Sequence, residues 1–185
     1  MSKAVLISIN PKWVDKIANG EKTIEVRKSR PKLETPFKCY IYETQGEYKT
    51  GTGIFAYGIE LKGTKKGKGK VIGEFVCDKI TDISVVVRNC NEDYNHVYHN
   101  DECKGSCLTW TELQEYGKGK PLYGWHITDL KIYDKPKELS EFRKPCPYTD
   151  GTYCIENKCE YYGDWTGVCR CWVERPPQSW CYVEV

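Results

Sequence analysis

The stretch that decides the fold is AVLISINPKWVDKIANGEKTIEVR, residues 4–27. It starts with a β-rich run of six residues, which predicts a strand. Asn10 and Pro11 follow; the first is suited to capping a helix and the second to its first turn. The next apolar residues recur at helical spacing: Trp13, Val14, Ile17 and Ala18. We therefore expect a strand and then a short helix, closed by Gly20 in a left-handed conformation.

Residues 22–28, KTIEVRK, alternate between apolar and polar side chains, which is typical of a half-buried strand. The alternation directs Ile24 and Val26 toward the core. It places a polar, charged set on the other face: Thr23, Glu25 and Arg27. We therefore expect the polar face of this strand to carry candidate catalytic or binding residues.

The rest of the chain is mostly strand-like, with few helices. The predicted strands are 37–42, 71–80, 122–133 with a bulge near 128–129, and 179–183. Residues 45–69, rich in glycine and lysine, predict a long hairpin. Thr109 and Glu112 form a capping-box pattern that opens a second helix, with Leu113 and Tyr116 on its inner face. Residues 136–142 are expected to form one helical turn.

This order of elements favours a mainly β fold with short helices, of the α+β class. We expect a small mixed-direction barrel with insertions, because a doubly wound parallel sheet would need more helices. The barrel would span 1–135, with insertions near 45–69 and 83–107, and a final strand in 176–185 would complete it. Residues 143–175 would be a cysteine-rich insertion.

Charge is distributed unevenly along the 185 residues, although the formal net charge is only +2. Residues 1–36 carry eight Lys/Arg against four Asp/Glu, and 89–115 carry six acids against one lysine. A nucleic-acid surface would therefore be local. No apolar run approaches the roughly 20 residues of a membrane span, and the start lacks a secretory leader. We expect a cytoplasmic protein that does not bind membranes.

Four segments resemble one known family: SINPKW at 8–13, GEKTIEVR at 20–27, KPLYGWHI at 120–127 and PPQSWCYVE at 176–184. They are similar to the ASCH domain of the PUA-like superfamily, in a subgroup typical of clostridial-type bacteria and their phages. The resemblance covers residues 4–135 and the last ten. It implies a β-barrel with a cleft that binds RNA or modified bases.

The resemblance also implies candidate chemistry. One characterised ASCH type is an acetylcytidine amidohydrolase that uses a Lys, a Thr and a Glu, and another type cleaves RNA. Lys22 matches the lysine of that motif. Where the hydrolase has its Thr, this chain has Glu25, so the nucleophilic hydroxyl is not at that position.

Three residues are the catalytic candidates: Lys22, Thr23 and Glu25. Burial and the Arg27 charge would lower the pKa of Lys22 and make it a base. Thr23 would be the nucleophile, and Glu25 or Glu74 would carry the proton. The structural alternative is that Glu25 and Arg27 form an ion pair that stiffens the cleft rim.

Basic and aromatic side chains are the candidates for binding nucleic acid. Arg27, Lys28 and Arg30 would contact phosphates or base edges. Aromatic rings would stack on unpaired bases: Tyr123, Trp125 and Trp180, with Trp110 as a further candidate. The alternative for each ring is a place in the core.

The 11 cysteines include two groups with ligand-like spacing. Four thiolates can close a structural zinc site. The first group is Cys146, Cys154, Cys159 and Cys169, with Cys171 as an alternate. The second group is Cys90, His96, His99, Cys103 and Cys107. Free loop thiols and disulfides formed on extraction are the alternatives, whereas Cys39 and Cys77 are expected to be small buried apolar residues.

Three functions follow from these features. The first is binding of RNA or a modified nucleobase or nucleotide in the cleft. The second is hydrolysis of acylated (deoxy)cytidine or RNA at the same place. The third is a phage-type interaction module that binds a host protein through the acidic insertion.

Overall fold

The computed structural model describes residues 3–50, 55–56, 59–60, 63–84, 104–146 and 171–184. The strands are β1 Lys3–Ile9, β2 Ile24–Arg27, β3 Phe37–Glu43, β4 Glu47–Thr50, β5 Phe55–Ala56, β6 Ile59–Glu60, β7 Gly63–Lys66, β8 Lys70–Cys77, β9 Ile80–Asp82, β10 Tyr123–His126, β11 Thr128–Lys137 and β12 Trp180–Glu184. The helices are α1 Pro11–Ala18 and α2 Trp110–Gly117, with a 3₁₀ turn at Leu139–Glu141. None of the described helices is long and apolar enough to cross a membrane.

Two sheets form the body of the protein. The larger has the strand order β11-β8-β3-β1-β12, and the smaller has the order β2-β10-β9. In the larger sheet β1 and β3 run parallel, and the other neighbours run antiparallel. The expected mainly β fold with short helices is confirmed. Within the described residues, no ladder of hydrogen bonds closes the two sheets into a barrel.

Two predicted long strands each divide between the sheets. The stretch predicted at 71–80 forms β8 in the larger sheet and β9 in the smaller one. The stretch predicted at 122–133 forms β10 and β11 in the same way. The predicted bulge is present, because the β11–β8 register shifts between Thr128 and Lys131 and Asp129 has a φ of 47°. Two continuous segments thus join the sheets.

The larger sheet is buried on both faces. One face packs toward the smaller sheet and α1 through a main apolar cluster that includes Val5, Ile7, Ile41, Phe75 and Trp125. The other face carries a second cluster that includes Leu6, Tyr40, Val183, Phe142 and Val173. Burial of side chains of this size contributes about 1.5–3 kcal/mol each, so the sheet is the stable base of the fold.

Helix α1 forms as its cap predicts. The Asn10 side chain accepts a hydrogen bond from the Lys12 amide at 3.0 Å, and Gly20 has a φ of 80°. Val14 and Ile17 are buried. The prediction for Ala18 was wrong, because it is exposed at the last turn of the helix.

Helix α2 has the predicted capping box between Thr109 and Glu112, and Leu113 is buried beneath it. The prediction for Tyr116 was wrong, because 37% of this residue is exposed. The left-handed residue that ends the helix is Lys118, with a φ of 49°.

The hairpin predicted at 45–69 is present as β4 paired with β7 and β5 paired with β6. The cysteine-rich insertion lies largely outside the described residues, but its two ends are described and adjacent. The Lys144 amide donates to the Cys171 carbonyl at 2.7 Å, and the Val173 amide donates to the Phe142 carbonyl at 2.8 Å. Segment 147–170 therefore leaves and re-enters the fold at one place.

Candidate functional site

The two faces of β2 are both covered, which corrects the predicted orientation of this strand. Glu25 pairs with Trp125 across the β2–β10 ladder, and cross-strand partners share a face. That face belongs to the main cluster, because Trp125 is part of it. Val26 faces a separate cluster with Leu113. The alternation was predicted correctly, but Glu25 and Arg27 point inward rather than to an open rim.

Lys22, Glu25 and Arg27 form a buried ion cluster, with residue exposures of 2%, 6% and 7%. Glu25 Oε1 lies 2.9 Å from Arg27 Nη2, and Glu25 Oε2 lies 3.4 Å from Lys22 Nζ. The cluster therefore holds two cationic side chains around one carboxylate. Breaking such a buried pair by removing one partner is strongly destabilising.

Backbone carbonyls from distant segments hold the two cations. Lys22 Nζ donates to the Ser106 carbonyl at 2.6 Å, and Arg27 Nη2 donates to the Ser8 carbonyl at 2.6 Å. Arg27 Nη1 also donates to Ser179 Oγ at 3.3 Å. The cluster thus ties β2 to the end of β1, to the segment before α2 and to the segment before β12.

Two polar atoms of the cluster lack a hydrogen-bond partner among the described residues. They are Glu25 Oε2 and Arg27 Nε, an acceptor and a donor. A buried polar group left without a partner costs about 1–3 kcal/mol. A bound ligand is one way in which such groups are satisfied and an ordered water is another, so we take the cluster as the candidate site.

Three half-exposed or exposed rings near the cluster each carry a cation. Lys12 Nζ lies 4.4 Å from the Trp13 ring centroid, and Lys28 Nζ lies 4.6 Å from that of Tyr116. The third ring, that of Tyr123, has the Arg30 guanidinium at 5.7 Å. We call these three pairs the aromatic–cation rim.

Contacts place the rim beside the ion cluster. Lys22 Nζ lies 5.2 Å from the Trp13 ring centroid. Burial raises the pKa of Tyr116, while the Arg27 charge lowers it and the Glu25 charge raises it. The Tyr116 hydroxyl is therefore within electrostatic reach of the carboxylate and the guanidinium.

Comparison with known proteins assigns the fold that carries this site. Residues 7–142 match the ASCH domain. The chain belongs to the ASCH domain family. No curated protein matches the chain.

Crystal structures of the ASCH protein from Zymomonas mobilis are similar to this ASCH domain. The unsubstituted protein gives a TM-score of 0.53 at 16% identity, covering 98% of this chain and 87% of the other. Two single-substitution variants of it give TM-scores of 0.53 and 0.52, also at 16% identity. The match to the first variant covers 99% of this chain and 91% of the variant. The match to the second covers 98% of this chain and 88% of the variant. At this identity the likeness shows the fold alone.

Of the predicted stacking residues of the ASCH domain, Trp125 lies inside the protein and Trp180 is half-buried. Trp125 is 0% exposed and packs edge-on against Phe37 at 5.8 Å, so it offers no free ring face to a base. Trp180 is half-buried, 5.9 Å from Trp125, and its Nε1 donates to Ser29 Oγ at 3.0 Å. Trp110 packs at the edge of the small cluster under α2. The core alternative holds for Trp125.

Thr23 does not join the ion cluster. It is exposed, its Oγ1 lies against Gly105, and its amide donates to the Gly105 carbonyl at 2.8 Å. No contact within the described residues links its hydroxyl to Lys22 or Glu25. The structure therefore separates the predicted nucleophile from its predicted base.

Glu74 lies in a different part of the ASCH domain from the ion cluster. It pairs with Tyr40 across β3 and β8, so it lies on the face of the second cluster. Tyr133 Oη donates to Glu74 Oε2 at 2.6 Å, and Lys38 Nζ lies 3.3 Å from Oε1. The Tyr133 hydrogen bond is the main cause that lowers the pKa of Glu74.

Most of the predicted metal ligands lie outside the described residues. These are Cys90, His96, His99, Cys103, Cys154, Cys159 and Cys169. Cys146 is half-buried and Cys171 is buried, one at each end of segment 147–170. Cys107 Sγ donates to the Glu21 carbonyl at 3.2 Å. Within the described ranges, no three His, Cys, Asp or Glu side chains are grouped to hold a metal.

The sequence reasoning missed five residues of the site: Ser8, Trp13, Ser106, Tyr116 and Ser179. Helical spacing placed Trp13 and Tyr116 toward the core, since periodicity identifies an apolar face but not how far it is covered. The three serines act through their backbone carbonyls or a short hydroxyl contact. The sequence offered one signal for Trp13, the adjacent Lys12, which stands over its ring; the cation over Tyr116 is Lys28, which is distant in the sequence.

Proposed function

We propose that this ASCH domain binds RNA or a modified nucleobase or nucleotide at the Lys22–Glu25–Arg27 cluster. The observation that carries the proposal is a pair of buried polar atoms without a hydrogen bond among the described residues: Glu25 Oε2, which has only the Lys22 ammonium at 3.4 Å, and Arg27 Nε. The family assignment supports the fold, and the rest of the argument comes from the cluster itself.

The unpartnered pair is complementary to the edge of a base. A carboxylate accepts from an exocyclic amino group, such as N4 of cytosine, and a guanidinium donates to a carbonyl oxygen or ring nitrogen. Glu25 offers the acceptor and Arg27 offers the donor. A base of the cytosine type presents a donor beside an acceptor, which are the two kinds of group that these atoms lack.

The aromatic–cation rim supplies the other two contacts that a nucleotide needs. A ring such as Trp13 or Tyr116 would stack on the base, which contributes about 1–3 kcal/mol per base. Lys12, Lys28 and Arg30 stand over the rim rings and would pair with phosphate oxygens. Neither Trp125 nor Thr23 is needed in this arrangement.

The test is binding of cytidine monophosphate, the other three nucleoside monophosphates and N4-acetylcytidine, measured by titration calorimetry. Tyr116→Ala should weaken binding of the preferred ligand about 5- to 100-fold, because it removes one stacking surface. Trp172→Ala is the matched control, since that residue is 40% exposed on the other side of the fold and should change affinity less than 2-fold. Equal loss in both variants, or no binding by the unsubstituted protein, would contradict the proposal.

A second candidate function is hydrolysis of acylated (deoxy)cytidine or RNA in the same cluster. The observation that favours it is the buried Lys22 ammonium, 3.4 Å from the Glu25 carboxylate. Because Thr23 is separate, water would be the nucleophile: its oxygen bonds to the acyl carbon, the carbon–nitrogen bond breaks, and its proton passes to the leaving amine. Release of acetate from N4-acetylcytidine that is lost in Lys22→Met while binding persists would establish this activity.

We also propose that the two sheets belong to a barrel of the PUA-like type, and that the chain is of the clostridial or phage subgroup. The two segments that run from sheet to sheet, β8–β9 and β10–β11, support a barrel. The segments KPLYGWHI at 120–127 and PPQSWCYVE at 176–184 support the subgroup by resemblance. An experimental structure would test the barrel proposal. We expect it to show hydrogen-bonded ladders that join β2 to the larger sheet.

We infer that the protein works in a reducing compartment, the cytoplasm. Cys39 and Cys77 are free thiols, although both lie in neighbouring strands of one sheet. Burial raises the pKa of Cys39 well above its usual value and that of Cys77 to about 12. Thiols with such pKa values are inert toward exchange at neutral pH, which suits small buried core residues.

Structural zinc is a further proposal, with Cys146, Cys154, Cys159 and Cys169 as ligands and Cys171 as the alternate. The adjacency of the two ends of segment 147–170 supports it, because the Lys144–Cys171 hydrogen bond brings Cys146 and Cys171 into one neighbourhood. Protein purified without added metal should contain one zinc per chain by elemental analysis, and chelation should lower Tm. No zinc, and an unchanged Tm with chelator, would contradict it. The second group, around His96 and His99, stays a prediction, as does binding of a host protein through the acidic insertion.

A further inference from the structure

The lysine-rich hairpin is a feature that the proposed function leaves unused. Strand β4 pairs with β7, with Tyr48 opposite Lys65. Both side chains of that pair reach the same carboxylate on α1: the Tyr48 hydroxyl donates to Asp15 Oδ2 and Lys65 Nζ donates to Asp15 Oδ1. The hairpin is therefore fixed to α1 and has a defined position.

The outer side of this hairpin is positively charged. Lys49, Lys66 and Lys68 are exposed, and no ion pair among the described residues engages their ammonium groups. Two acids lie near these lysines, and neither forms an ion pair with them among the described residues. Glu47 lies opposite Lys66 in the ladder, and the buried Glu43 accepts from the Lys68 backbone amide at 3.1 Å.

Helix α1 stands between the hairpin and the ion cluster. Trp13 contacts the cluster through Lys22, whereas Asp15 holds the hairpin. These two residues are two positions apart, or about 200° around the helix axis, so they lie on nearly opposite sides. A helix with its side chains is about 10–12 Å across, so about one helix width separates the ion cluster from the hairpin.

We propose that the hairpin contacts the sugar–phosphate backbone of a single-stranded nucleic acid whose base occupies the ion cluster. The ligand is then a polynucleotide rather than a free nucleotide or nucleobase. This inference rests on the proposed function. It adds that the nucleic-acid chain passes over α1 and that its phosphates pair with Lys49, Lys66 and Lys68.

The experiment is fluorescence anisotropy with a labelled 12-nucleotide single-stranded RNA over a range of salt concentrations, beside calorimetry with the nucleoside monophosphates. The variant is Lys49→Ala/Lys66→Ala/Lys68→Ala. Lys3→Ala/Lys131→Ala/Lys135→Ala is the matched control, because it removes the same charge from exposed positions outside the hairpin. Lys3 is the first residue of β1, and the other two lysines lie on β11.

We expect the slope of log affinity against log salt to become shallower by about 2, since each phosphate contact on a single strand contributes about 0.7. At 0.1 M salt this corresponds to about 100-fold weaker RNA binding. Mononucleotide affinity should not change, and the control should keep the slope of the unsubstituted protein.

Four outcomes would overturn the inference, and they are distinguishable. An unchanged slope in the hairpin variant, with Tyr116→Ala still impaired, rejects the hairpin contact alone. Equal weakening of RNA and mononucleotide binding assigns the hairpin a folding role. Equal loss in the control variant shows a nonspecific charge effect. No binding of RNA or of any mononucleotide rejects the proposed function as well.

Discussion

Glu25 and Glu74 are two carboxylates with cationic neighbours, placed in different parts of the same small fold. The Glu25 side chain is 7% exposed between two cations, and one of its oxygens lacks a hydrogen bond. The Glu74 side chain is 22% exposed, with Tyr133 and Lys38 each engaging one of its oxygens. Satisfied polar groups near solvent stabilise a fold modestly, whereas an incompletely satisfied buried cluster is costly and is retained for another reason. This difference is the reason for proposing a functional role for Glu25 rather than for Glu74.

The largest expected effect comes from neutralising the buried carboxylate. Glu25→Gln should lower the free energy of unfolding by about 3–5 kcal/mol, because Lys22 and Arg27 then remain buried without their counter-charge. Glu74→Gln should lower it by about 1 kcal/mol. Urea unfolding of both variants measures the comparison, and similar losses would remove the distinction between the two sites.

A smaller effect concerns pH. The pKa of Glu74 is lowered in the folded protein, chiefly by the Tyr133 hydrogen bond. Its stabilisation is therefore present above the unfolded pKa and is lost as the pH falls from about 4.5 through the lower folded pKa. Tyr133→Phe should flatten that decline in the free energy of unfolding. Acid titration of the unsubstituted protein and the variant tests this.

If the two proteins decline in parallel below pH about 4.5, Tyr133 does not set the Glu74 pKa. Tyr182→Phe is the control, because that hydroxyl accepts from the Lys32 amide rather than contacting a carboxylate.

The smallest expected effect is the response to salt. Partly exposed charges are screened by added salt, while buried ones are screened much less. The destabilisation by Glu74→Gln should shrink by a few tenths of a kcal/mol between low and 1 M salt, and that by Glu25→Gln should persist. A salt response of equal size in the two variants would show that solvent reaches the Glu25 cluster.

Local signals in the sequence predicted much of the fold. The Asn10 cap and the Thr109–Glu112 box formed as expected, because their physics involves neighbouring residues only. The bulge at 128–129 also formed, at the point where the apolar alternation shifts. The division of two long strands between sheets was not predictable, since it depends on distant partners. Alternation along β2 was visible, but which face would be buried was not.

The candidate site was predictable in its residue types rather than in its architecture. Lys22, Glu25 and Arg27 were identified from one strand, and the structure places them in contact. The carbonyls of Ser8 and Ser106 that hold the two cations come from 19 and 84 residues away along the chain. Backbone groups carry no signature in a sequence, so only the fold reveals them.

The paired ends of segment 147–170 have a consequence for how this molecule can be re-engineered. The Lys144 amide and the Cys171 carbonyl are 2.7 Å apart, and Arg143 and Trp172 form an antiparallel bridge. Antiparallel strands can be joined by a turn of about two residues. A short turn or a foreign peptide in place of the intervening 24 residues would therefore be compatible with the Arg143–Trp172 pairing.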